Sequence, residues 1–286
     1  MVFVVLALVI AAAILYGTNR WHSDTRALHA VMEAARLPIA PASYDPRELE
    51  ELPAPVQRYF RTVLKDGQPM IAAVDMEHTG TFNMSENAEQ WKPFRSTQRV
   101  ITRRPGFVWD ARIRIAPGIT AHVHDAYIAG EGILTARLFG LLTVMKQPST
   151  PELAHGELMR FFAEAAWYPT ALLPSQGVVW KPIDDTRAGA SITDGETTVT
   201  LTFYFDDQGL ISTVHSDGRY RAEDATEDGT ADGAQVAVPW QGRFWGFEER
   251  DDMLIPLHGE VEWLLADGAK PYWRGRIQRI QYELNK

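Results

Sequence analysis

The chain of 286 residues contains no cysteine. That excludes a disulfide scaffold, a zinc–thiolate site and a thiol nucleophile. Basic charge is also in short supply, with 28 lysines and arginines against 37 aspartates and glutamates, a formal net charge of −9. Non-specific nucleic-acid binding needs a basic face to displace phosphate counterions, so nucleic acid is not an expected partner. Polar low-complexity character is missing too, because 45 % apolar residues is too much for a disordered chain. There is no Gly-x-Ser-x-Gly elbow, phosphate loop, dinucleotide fingerprint or His-Glu-x-x-His helix. The length is ample for a large core.

Charge is absent from the first 19 residues, and residues 2–16 are unbroken apolar sequence. At 1.5 Å per residue, residues 2–19 span about 27 Å, just under the ~30 Å hydrocarbon core of a bilayer. We read residues 1–19 as an uncleaved transmembrane helix. The rival is a cleaved signal peptide, for which Ala11 and Ala13 supply a small-x-small pair. It lacks a positive n-region, and bulky Ile14, Leu15 and Tyr16 follow the alanines. A segment apolar on every face at a terminus fits poorly as a core helix. Arg20 and Arg26, with Asp24 between them, favour a cytoplasmic flank only weakly, and the sequence leaves the orientation open.

Residues 20–50 read as a juxtamembrane linker, because Pro38, Pro41 and Pro46 break any long helix. Residues 51–286 form one α+β domain. Pro53 and Pro55 open a helix in which Val56, Tyr59, Phe60, Val63 and Leu64 recur at helical spacing, and Gly67 stops it. From about Asp75 the period becomes two. Phe107, Trp109, Ala111, Ile113 and Ile115 alternate with polar or smaller partners, and Pro117-Gly118 turns the chain into the next strand. The stretch to Leu142 is predicted to be an antiparallel meander.

Thr150 as N-cap and Pro151 at the first position predict one more helix, with Ala154, Leu158, Phe161, Phe162 and Ala165 as its apolar stripe. His155, Arg160 and Glu164 are expected on its surface. Strands then resume, with Val199, Leu201, Phe203 and Phe205 on one face, and a hairpin around Asp267-Gly268 closes the chain. The architecture expected is a large, curved, mostly antiparallel sheet of half-barrel type with a few packed helices.

Three clusters are candidates for chemistry. His122 and His124 share one face of a strand, but Asp125 points the other way and no third ligand follows, so a solvated strand face is expected and no metal. The acidic segment 223–232 partly fits a calcium loop at Asp224, Thr226, Asp228, Gly229 and Asp232, but Gln235 stands where the closing carboxylate belongs, so a solvated hairpin loop is the expectation. Arg160 and Glu164, four apart, can pair along a helix face near Trp167, either to orient a polar head group or to tie helix to sheet. Most of the nine tryptophans fall on or beside strands, where indoles fill a curved core or line an apolar site.

Several stretches together resemble a known family. They are Leu52-Pro53-Ala54-Pro55-Val56-Gln57-Arg58-Tyr59-Phe60, Pro105-Gly106-Phe107-Val108-Trp109-Asp110-Ala111, Asp125-Ala126-Tyr127 with Gly130 and Gly132, the stretch from Arg160-Phe161-Phe162 through Trp167-Tyr168-Pro169 to Leu173, and Pro239-Trp240. The family is one of bacterial membrane-anchored envelope proteins, a domain of unknown function. A looser likeness, from strand order and the Phe203-to-Ile211 turn, is to half-barrels of the lipoprotein-carrier type. The likeness implies a bacterial inner-membrane protein with its domain outside the cytoplasm, and it transfers no catalytic residue.

The leading expectation is a non-enzymatic, membrane-anchored protein that holds an apolar, lipid-like ligand on a concave sheet. Trp109, Tyr127 and Trp167 would be wall residues, and Arg160 and Glu164 would meet a polar head. No cofactor or catalytic residue is expected. One alternative is a hydrolase or isomerase using Glu164, Asp110 and Asp125, which requires those carboxylates to converge in one cleft. Another is a structural envelope protein that binds other proteins, with a filled sheet and an exposed apolar patch.

Overall fold

The computed structural model describes residues 2–85, 88–222 and 235–285. The acidic segment 223–232 lies outside them. Two meanders make the fold. The first contains β1 (Ile71–Asn83), β2 (Trp91–Ile101), β3 (Gly106–Ala116), β4 (Ile119–Ile128), β5 (Glu131–Leu138) and β6 (Leu142–Lys146). The second contains β7 (Val179–Pro182), β8 (Arg187–Asp194), β9 (Thr197–Phe205), β10 (Ile211–Ala222), β11 (Gln235–Arg250), β12 (Met253–Leu265) and β13 (Gly268–Leu284). β1 pairs antiparallel with β13, so both meanders join in one curved, half-barrel-like sheet ordered β6-β5-β4-β3-β2-β1-β13-β12-β11-β10-β9-β8-β7.

This order has a topological consequence. β6 and β7 are consecutive in the chain but lie at opposite edges of the sheet. The segment between them must therefore cross the concave face. It carries helix α3 (Pro151–Ala163) and three short 3-10 turns, Glu164–Trp167, Pro169–Leu172 and Pro174–Gln176. Thr150 caps the helix as the sequence indicates, its side chain accepting from the Leu153 N–H at 3.2 Å. The predicted stripe of Ala154, Leu158, Phe161, Phe162 and Ala165 is buried in the main core, against Phe203, Val199 and Leu201 of β9 among others. Helix α2 (Ala54–Val63) buries Val56, Tyr59, Phe60 and Val63 in the same core.

The long N-terminal helix α1 (Val2–Ala34) runs well past Asn19. Residues 20–34 continue it, because the prolines that break it begin only at Pro38. This part lies on the convex face over β2, β3 and β4. Met32 packs with Ala73, Ile101, Val108, Ala126 and Ile128, and Trp21 is fully buried. Ion pairs add to the contact, Glu33 with Arg99 at 2.5 Å and Asp24 with Arg137 at 2.7 Å. The His122 and His124 face, expected to be solvated, is instead covered by this helix. Both rings are buried against Trp21.

Candidate functional site

The alternation read from β3 divides the sheet into two chemical faces. Phe107, Trp109, Ala111 and Ile113 face the concave core, while Asp110 faces α1 and accepts from Trp21 Nε1 at 2.9 Å and Thr25 Oγ1 at 2.9 Å. Asp125, one residue beyond His124, points inward as its parity requires.

On the concave side an apolar cavity of about 600 Å³ lies between β3–β6, α3 and strands β10–β13 of the second meander. Ile113, Ile115, Val123, Leu134, Ala136 and Met145 are among its walls. A smaller cavity of about 80 Å³ adjoins it deeper in, beneath the turn after α3, with Trp109, Arg160, Glu164 and Trp167 in its lining. Phe82, Trp109, Asp125, Arg219 and Tyr272 line both, so the two adjoin across these side chains. Four of the five residues expected at a ligand site thus meet here. The fifth, Tyr127, stands apart. It is fully buried and donates through its hydroxyl to Asp194 Oδ2 at 2.7 Å, in the core rather than at the cavity.

Where the cavities join, charge is concentrated. Arg160 bonds Asp125 Oδ2 at 2.5 Å and Glu164 Oε1 at 2.8 Å. Gln98 closes the ring by donating to Glu164 Oε2 at 2.6 Å. The Arg160 guanidinium also sits over the rings of Phe107 and Trp109, at 4.7 and 5.1 Å. Burial works against its charge, but Glu164, Asp125 and Glu157 outweigh that and hold it fully protonated. Arg160 and Glu164 were expected on the helix surface. Both side chains are only 14 % exposed, because α3 turns this side toward the concave sheet.

A second guanidinium, Arg219, lies against Trp240 and Trp263 at 5.1 and 5.8 Å and approaches Glu157 Oε1 at 3.5 Å. Burial, then the charge of Asp125, push the Glu157 carboxyl well above the usual carboxylate range. The indole nitrogens of Trp109 and Trp167 are buried without a hydrogen-bond partner, whereas the Glu157 carboxyl faces Asp125 and can share a proton with it. Polar capacity therefore lies idle at the joint of an apolar cavity, a costly arrangement unless another group meets it.

The carboxylates proposed for an enzymatic alternative are split. Asp125 and Glu164 converge on Arg160, but Asp110 is on the opposite face of the sheet under α1. Among the described residues no group of three or more His, Asp or Glu is placed to hold a metal ion.

Sequence reasoning missed Arg219 and gave Glu157 no role. A register irregularity between Ser216 and Arg219 breaks the alternation of β10, so counting by twos does not place Arg219 inward. Glu157 was legible in principle. It is spaced three after Ala154 and four before Phe161, on the same helical stripe.

A family model described as a family of unknown function, DUF6920, matches residues 50–282. No curated protein matches the chain. Among solved structures the chain is similar to a LolA superfamily protein from Nitrosomonas europaea, at 10 % identity and a TM-score of 0.32, over 90 % of this chain and 93 % of that one. It is also similar to a beta-barrel-like protein of the domain of unknown function DUF1849 from Brucella abortus, at 10 % identity and a TM-score of 0.23, over 75 % of this chain and 99 % of that one.

Proposed function

For this chain, which belongs to the family of unknown function DUF6920, we propose a membrane-anchored binding protein that holds an amphiphilic, lipid-like ligand within its half-barrel. The observation that carries the reading is the junction of the two cavities. An apolar chamber of about 600 Å³, within the usual size of small-molecule sites, ends at buried guanidiniums and unpartnered indole N–H groups. An acyl chain would lie along Ile113, Val123 and Ala136. A polar or anionic head would displace nothing apolar at the inner end and would find donors in Arg219, Trp109 and Trp167. Water-soluble polar ligands fit this chamber poorly, since they would leave their own groups unsatisfied against its walls. Helix α1 would tether the domain to the inner membrane, with the domain on its outer side.

The test is organic extraction of the purified full chain followed by mass spectrometry, together with titration of the extracted protein by a fluorescent fatty acid. An amphiphile recovered in near-stoichiometric amount, and saturable uptake of the probe, support the proposal. Extraction yielding nothing apolar, with no saturable uptake, overturns it.

A further inference from the structure

The apolar part of α1 is short for a membrane span unless the domain comes down to meet the bilayer. Its exposed large side chains run from Val2 to Tyr16, 15 residues or about 22 Å of helix, against a hydrocarbon core of ~30 Å. The helix meets the domain at Gly17. A Cβ there would lie 2.3 Å from the Phe139 carbonyl oxygen and 2.5 Å from Leu141 Cγ. The contact is reciprocal. Gly140 has φ +70°, and a Cβ on it would lie 2.6 Å from the Gly17 carbonyl oxygen. The β5–β6 turn is thus seated on the helix where its free apolar part ends, while the first charge, Arg20, comes nearly a turn later. Immersing the uncharged run up to Asn19 carries the bilayer surface past this turn.

The strand that leaves the turn is built for such a place. β6 is an edge strand, exposed along its whole length, and its Leu142, Val144 and Met145 are 64, 57 and 40 % exposed. A bare apolar edge is an aggregation liability in water. Lys146 ends the strand about 13 Å from Leu142, the spacing that sets an ammonium at head-group level. Val144 and Met145 also line the apolar cavity, so the same edge bounds the chamber.

We propose that the β5–β6 hairpin inserts into the lipid leaflet beside α1, so that the β6 edge of the chamber opens on the bilayer itself. The inference rests on reading α1 as a membrane anchor, and it makes the leaflet the source or destination of the ligand.

The absence of cysteine makes single-cysteine labelling clean. The full chain would be reconstituted in phosphatidylcholine–phosphatidylglycerol vesicles with an NBD label at Leu142→Cys, Leu8→Cys or Gln208→Cys. Gln208 is exposed in the β9–β10 turn, away from the hairpin. Quenching is then read with a nitroxide on the lipid chain and with aqueous iodide. The expected result is lipid quenching and iodide protection at positions 142 and 8, and the reverse at 208. Iodide quenching at 142 with lipid quenching at 8 overturns the hairpin insertion and leaves the anchor standing. Protection of 142 from both quenchers means that the edge pairs with a second copy, which also overturns it. Iodide quenching at 8 overturns the anchor reading and the inference together.

Discussion

The Trp21 indole stacks on the His124 imidazole, with ring centroids 3.7 Å apart and planes 13° from parallel. The same indole donates to Asp110, and His124 Nε2 lies 2.8 Å from Thr25 Oγ1. A single residue just after the apolar run thereby joins α1 to the convex face. This contact makes α1 and the sheet one body.

Removing that indole should release the helix. Trp21→Ala deletes a fully buried aromatic, a change that costs about 3–5 kcal/mol in well-packed sites. Residues 20–34 should then become sensitive to trypsin at Arg20 and Arg26 in detergent, while the sheet keeps its circular dichroism. Unchanged cleavage kinetics would contradict the docking.

Acid should weaken the fold through His78. Burial, with the charge of Arg160, pushes its imidazole down to about 3 from the ordinary 6.5, and neither ring nitrogen has a partner. The unfolded chain therefore binds the proton more readily. Stability from this group is complete above pH 6.5 and falls by about 1.4 kcal/mol per pH unit between 6.5 and 3. His78→Phe should flatten that part of the curve, measured as the difference in urea midpoint between wild type and variant across the range.

Arg160 should be the most sensitive side chain at the joint. Arg160→Met leaves Asp125 and Glu164 buried without their cation, which costs about 3–5 kcal/mol. Adding Asp125→Asn and Glu164→Gln should recover much of the loss. A single Arg160→Met variant as stable as wild type in urea would show that the cluster is not a compensated one.

Glu157→Gln should behave oppositely. Burial and the charge of Asp125 raise the Glu157 carboxyl well above the usual range, so the fold favours its protonated form, and glutamine keeps an acceptor for Arg219. The stability tied to that proton is complete below pH 4.5 and is lost as pH climbs toward and through the folded value. The variant should match or exceed wild type at pH 7 and lack the alkaline decline, as read from urea midpoints at pH 5 to 9.

Filling the chamber should abolish uptake without unfolding the protein. Ala136 sits on the inner face of β5 opposite Val123, and Ala136→Trp would occupy the space assigned to an acyl chain. Fluorescent fatty-acid binding should drop at least tenfold, with the thermal midpoint within a few degrees of wild type. Full binding in the filled variant would place the ligand elsewhere.

The sequence by itself determined the local elements and the faces of the strands. Period two in β3 and β9, the Thr150 cap with Pro151, and the Arg160–Glu164 spacing all depend on neighbours a few residues apart, and all of them appear in the fold. Tertiary structure decided what each polar face meets. Whether His122 and His124 face water depends on a helix about 100 residues earlier in the chain, and that Asp110 and Asp125 lie on opposite sides matters only once α1 and α3 cover the two faces. Which strand neighbours which is set by long-range pairing. Only the β1–β13 closure places β6 and β7 at opposite edges and forces α3 across the concavity, where Arg160, Asp125, Glu157 and Arg219 come together.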